Sequence, residues 1–153
     1  VKAPRKTRID TVFGAIEAVQ AAKREIKPPR NVKLDRGDKP FFNSLLAEFA
    51  RAELSDHTIE LLAMLARAMA DLEREQRQLR EEGSVTVAST GKRSVNPRQT
   101  VVSNLSAAIL SMRRSLSLQA HAKNGDARDI ASRRQSAKTI EADTVANDLL
   151  GIG

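Results

Sequence analysis

The chain predicts a mainly all-α fold, with an N-terminal helix-turn-helix-like unit followed by a long antiparallel helical hairpin tipped by a short β-hairpin or loop. Three observations predict it. Apolar residues recur at three-to-four spacing over 56–82 and again from 97 to about 120, as one face of a helix requires. Between them lies an irregular stretch, GSVTVASTGKRSVNP, in which apolar and polar residues alternate. The apolar fraction is 41%, but 22 of those residues are alanine and the only aromatics are Phe13, Phe41, Phe42 and Phe49. Alanine offers little area to a core worth about 25 cal/mol per Å². It does let helices approach closely, within or between copies.

The elements follow in order. Residues 1–8 read as a basic flexible arm. Residues 9–26 predict a first helix capped by Asp10 or Thr11, with Val12, Ala15, Ile16, Val19 and Ala22 on one face and Pro28-Pro29 beyond its end. After a polar connector with Gly37 and Pro40 as breakers, a second helix is expected to reach Ala52, burying Phe41, Phe42, Leu45, Leu46 and Phe49. Ser55 or Asp56 caps a third helix. There Ile59, Leu62, Ala66 and Met69 form one stripe and Leu61, Leu65, Ala68 and Leu72 another, so two partners are implied near its start. Glu73 and Arg77 form a supporting i, i+4 pair.

Val85 and Val87 alternate with polar residues and Val95 sits on a returning strand. Asn96 caps the next helix, with Pro97 at its first position. Val101/Val102, Leu105, Ala108/Ile109, Met112 and Leu116 continue the stripe on that helix, which is expected to pack antiparallel on the third. Past His121 the pattern decays. Asn124-Gly125 breaks the helix, 126–138 reads as a short charged helix, and 141–153 as a tail ending in Leu149, Leu150 and Ile152. The expected divisions are an arm (1–8), a helical domain (9–55), an oligomerising hairpin (56–122) and a flexible tail (123–153).

Net charge is +7, distributed unevenly. Residues 1–33 hold nine Lys/Arg against Asp10, Glu17 and Glu25, or +6; 34–82 sum to −4 and 83–153 to +5. Basic ends around an acidic middle suggest a polyanion at the ends and protein packing in the middle. The candidate nucleic-acid contacts are therefore Lys2, Arg5, Lys6, Arg8, Lys23, Arg24, Lys27, Arg30 and Lys33. The candidate oligomerisation residues are Ile59, Leu62, Leu65, Met69, Leu72, Leu105, Ile109, Met112 and Leu116.

Catalytic chemistry finds little to work with. There is no cysteine, and His57 and His121 lie far apart with no His-x-x-x-His pair, so neither a metal site nor a cofactor is expected. Gly91-Lys92 lacks the glycine and Ser/Thr spacing of a phosphate loop. Lys92 and Arg93 are read equally as a solvated turn or a partner contact. Arg113-Arg114 are open to a channel, a neighbour's acidic helix or water. No apolar run is long enough to span a membrane, and the basic N-terminal residues lack the apolar core of a signal peptide.

The run Ile109-Leu110-Ser111-Met112-Arg113-Arg114-Ser115-Leu116, followed by His121-Ala122-Lys123-Asn124-Gly125-Asp126-Ala127-Arg128-Asp129, resembles the small terminase subunits of tailed bacteriophages with cohesive-end genomes. Pro28-Pro29 and the Phe41-bearing helix are similar too, so the likeness covers most of 15–135. The Gly83-x-Val85…Gly91-Lys92…Asn96-Pro97 loop is similar to a second branch of small terminases, and the first branch lacks it. The resemblance implies a non-enzymatic subunit forming a ring of about eight to eleven copies, nine favoured. It implies double-stranded viral DNA and the large terminase as partners, recognition of a packaging start site, and modulation of the partner's ATPase and nuclease. It places the subunit in the cytoplasm of the infected host and outside the mature virion. A dimeric helix-turn-helix transcription regulator shares the same punctuation and remains the alternative.

Overall fold

The computed structural model describes residues 12–87, 90–118 and 125–149. Among these are five helices and one two-stranded sheet: α1 (Val12–Ala22), α2 (Lys39–Ala47), a 3-10 turn (Arg51–Glu53), α3 (Asp56–Glu82), β1 (Val85–Val87), β2 (Arg93–Val95), α4 (Arg98–Ser115) and α5 (Gly125–Leu149). The chain is mainly helical, as predicted. It divides into two compact units. Unit 1 takes the described parts of 1–27, 47–58 and 119–153, and unit 2 takes 28–46 and the described parts of 59–118.

Unit 1 is built on α1 and α5. The first helix stops at Ala22, short of the expected Ile26, and its cap at Asp10 or Thr11 lies outside the described residues. Two arginines explain the stop. The Arg51 guanidinium donates to the carbonyls of Ala22 (2.7 Å) and Arg24 (3.0 Å), serving as the cap for the free carbonyls at the end of α1. Arg24 in turn donates to the Leu54 carbonyl (3.0 Å) and to Asp56 Oδ1 (2.6 Å).

The face that α1 buries is not the predicted one. Gly14, Ala18 and Ala22 are buried at i, i+4 and i+8, whereas Val12, Phe13, Ile16 and Val19 are exposed. α1 packs on α5 and on the 3-10 turn. Small residues on the packed face let the backbones come close, so the large apolar side chains are displaced to the outside.

α5 corrects a second expectation. The short charged helix at 126–138 and the tail beyond it form one helix to Leu149. Its packed face holds the buried Ala137 together with Arg134, Lys138 and Glu141, whose side chains are bonded. Arg134 lies 4.4 Å over the Phe49 ring and donates from Nε to Glu53 (2.7 Å). Lys138 donates to the Ala47 carbonyl, and Glu141 accepts the Arg51 backbone N–H. These anchors also end α2 at Ala47 rather than Ala52. Phe49 is buried as expected, but past the helix end. The connection 48–55 is longer than the turn of about three to four residues in a helix-turn-helix.

In unit 2, α3 runs unbroken to Glu82. Its cap is Ser55, whose Oγ accepts the Thr58 N–H (3.1 Å). Gly83, at φ +83°, closes the helix in the left-handed conformation that glycine adopts without penalty, its N–H bonded to the Leu79 carbonyl (2.9 Å). β1 and β2 pair antiparallel, with Val85 opposite Val95, Thr86 opposite Ser94 and Val87 opposite Arg93. Thr86 and Ser94 share a hydroxyl contact of 3.2 Å on one face, leaving Val85, Val87 and Val95 exposed.

Asn96 is buried and satisfied. It donates to Glu82 (2.9 Å) and the Gly83 carbonyl (3.0 Å) and accepts the Arg98 N–H (2.9 Å), capping α4 with Pro97 at helical dihedrals in the first turn. Arg98 grips both oxygens of Glu82 (3.1 and 2.8 Å) and reaches Glu75, while Arg113 lies 3.8 Å from the Met69 sulfur. Contacts that climb α4 while descending α3 show the antiparallel arrangement expected. α4 ends at Ser115, short of Ala120, in a turn with Ser117 at φ +53°.

Candidate nucleic-acid interface

The predicted cations fall into three groups. Lys2, Arg5, Lys6 and Arg8 lie outside the described residues. Lys23, Arg24 and Lys27 belong to unit 1, and each faces a carboxylate: Lys23 with Asp148 (3.7 Å), Arg24 with Asp56 (2.6 Å) and Lys27 with Glu25 (3.0 Å). The Lys23 and Lys27 pairs are exposed, so water screens them and they offer little resistance to an incoming phosphate. Arg24 differs. Its bond to the Leu54 carbonyl makes it a structural tie whose departure would strip two partners at once. Arg30 and Lys33 belong to unit 2 and are exposed.

Two further cations continue the third group. Arg36 and Lys39 are exposed beside Arg30 and Lys33 on the segment joining Pro28 to α2. Dividing the sequence at residue 33 split this run and hid it inside the acidic middle. A count taken along the connector alone would have found it.

The predicted oligomerisation residues also divide. Ile59, Leu62, Leu65, Ile109 and Leu116 are buried within a single copy and serve its own core. Met69, Leu72, Leu105 and Met112 are half-buried. Exposed apolar residues the sequence reading did not single out for assembly include Met64, Val101 and Leu110 on α3 and α4, and the valines of the β-hairpin. Periodicity identifies the apolar side of a helix, but not which of its residues one copy already covers.

The strongest electrostatic feature of unit 2 is structural. Arg98 and Asn96 hold the Glu82 carboxyl below its ordinary value of 4.5, chiefly through the Arg98 hydrogen bond, and the Arg98 guanidinium is pushed up by Glu82 and Glu75. Glu73 likewise raises Arg77 through the predicted i, i+4 pair. Lys92, Arg93 and Arg114 are exposed, as is His57, while His121 lies outside the described residues. Among the described residues no group of His, Asp and Glu is placed to hold a metal, and no helix is long and apolar enough to cross a membrane.

The arrangement therefore offers solvent-facing cations on two separate units, and apolar side chains on α1, α3, α4 and the hairpin with no cover from their own chain. Comparison with curated proteins returned no match. A family model, by contrast, aligns with residues 2–151, nearly the whole sequence, and the chain belongs to the Hendrixvirinae small terminase family.

Proposed function

We propose that this chain is the DNA-recognition subunit of a phage packaging machine, a non-catalytic protein that assembles as a ring, binds the packaging initiation site (cos or pac) and recruits and regulates the large terminase. Family membership over 2–151 is the observation that carries the reading, and it supports a DNA-packaging role in general terms. The finer statements rest on physical grounds. Repeating the cations of 1–33 around a ring of eight to eleven copies, nine favoured, would turn weak phosphate contacts into avid binding. Exposed Met64, Val101 and Leu110, together with half-buried Met69, Leu72, Leu105 and Met112, give neighbouring copies an apolar surface to cover. The subunit acts in the cytoplasm of the infected host and does not enter the mature virion.

Native mass spectrometry of the full chain, alone and with duplex DNA from the packaging start region, tests the reading. Eight to eleven copies and salt-sensitive DNA binding are expected. A DNA-binding dimer would favour a transcription regulator, and a monomer indifferent to DNA would overturn the proposal. Deleting 1–33 is a poor test, because it removes the buried Ala18 and Ala22 of unit 1. Neutralising Lys2, Arg5, Lys6 and Arg8 to Gln avoids that damage.

A further inference from the structure

The stretch from Pro28 to the first residue of α2 bears one cation at every third residue: Arg30, Lys33 and Arg36 on the connector and Lys39 at the start of the helix. All four are exposed, and among the described residues none takes part in an ion pair. Their neighbours at 23–27 all face carboxylates.

The connector is also fastened down. Pro28-Pro29 restricts its start. Val32 is buried, and the Asn31 amide donates to Glu60 on α3. Asp38, only 8% exposed, accepts the Asp35 N–H on Oδ2 (2.9 Å), donates its own N–H to the Asp35 carbonyl (3.1 Å), and accepts the Phe42 N–H as a first helical bond of α2 (3.0 Å). Buried Val32 and Asp38 fix the stretch at two points while all four cations stay exposed. The Asp38 carboxylate is spent inside the loop and Glu60 is occupied by Asn31, so Asp35 is the one exposed carboxylate of the connector. Cations held this way lose less freedom on docking than cations on an unfastened chain would.

We infer that this connector is a second duplex-contacting surface, gripping the phosphate backbone through Arg30, Lys33, Arg36 and Lys39 from unit 2. The inference rests on the DNA-packaging reading above. It differs in adding Arg36 and Lys39, which lie in the stretch 34–82 whose summed charge is negative.

The test uses the full chain and a random-sequence duplex several helical turns long, titrated with salt. Four proteins are compared: the unaltered chain, R30Q/K33Q/R36Q/K39Q, R36Q/K39Q, and K2Q/R5Q/K6Q/R8Q. The quadruple connector variant is expected to keep its helicity and native mass. Its affinity should fall at least about tenfold, and the slope of log affinity against log salt should become shallower by about 3.6, since each phosphate contact contributes about 0.9. R36Q/K39Q, which leaves the predicted site untouched, should shift the slope by about half as much, and it decides the matter if the quadruple variant unfolds. Unchanged affinity and slope in the connector variants overturn the inference, while the packaging reading survives if the arm variant loses binding. An unaltered chain that binds no duplex sinks both. Connector variants that keep DNA but lose purified large terminase reassign the surface to protein and likewise overturn it.

Discussion

Helices α1 and α3 both display apolar residues at helical spacing and both bury small ones, yet only α3 also buries large side chains. α3 turns Ile59, Leu62 and Leu65 inward and exposes mainly charge. α1 turns Gly14, Ala18 and Ala22 inward and leaves Phe13 at 77% and Val12 at 74% exposed. The difference lies in what each helix meets. On α3, Ile59, Leu62 and Leu65 share the buried face with Ala63, Ala66 and Ala70. α1 is drawn against α5 by the exchange between Arg24 and Arg51 and by the polar bonds of Arg134, Lys138 and Glu141 around Phe49 and the 3-10 turn. Only small residues fit such an approach.

Substitutions can break or sharpen this contrast. The largest effect is expected at Leu62, fully buried on α3: Leu62→Ala should cost about 2–5 kcal/mol in denaturant unfolding, through lost transfer energy and the cavity left behind. Ala18→Leu, at the fully buried position of α1, should cost about 1–3 kcal/mol by overpacking. Hydrogen exchange should show α5 losing protection with α1, and a change confined to α1 would contradict the close seam. Arg98→Ala should lower the melting temperature by several degrees and loosen the β-hairpin, since Glu75, Glu82 and Asn96 all depend on the same corner. The smallest effect is expected on the outer face of α1. Phe13→Ser at protein concentrations too low for assembly should change stability by no more than about 0.5 kcal/mol, as for an exposed site. A loss above about 2 kcal/mol would mean that something covers that face.

The Arg98 corner also sets a pH dependence. Because the Glu82 carboxyl is held below its ordinary 4.5, its contribution is fully present above that value and is lost as the pH falls through the lowered value. Thermal unfolding scanned from neutral pH to below 4 should show the loss, and Glu82→Gln should flatten that part of the profile.

Much of unit 2 was legible from sequence because its signals are local and chemical. Gly83 ends a helix, valines alternate, and Asn96-Pro97 starts another helix. Unit 1 was less legible. The α1 stripe was visible, but its large residues were read as buried because area usually decides, and here proximity did. The reach of α5 beyond Lys138 was missed because its packed face is polar: Arg134, Lys138 and Glu141 repeat at helical spacing but carry no hydropathy signal. The cations of 1–33 followed from simple counting, which could not tell Arg24, a structural tie, from Arg30, exposed and unpaired. Arg36 and Lys39 were missed for a related reason, since net charge over a long window conceals a short run of one sign.

The folding back of 125–149 onto α1 has a consequence for synthesis. The small-residue face of α1 is synthesised about a hundred residues before α5 and can take its seat only after 125–149 has emerged. A chain cut short before Gly125 would carry an α1 with no α5 to dock on, leaving its small-residue face open to proteolysis.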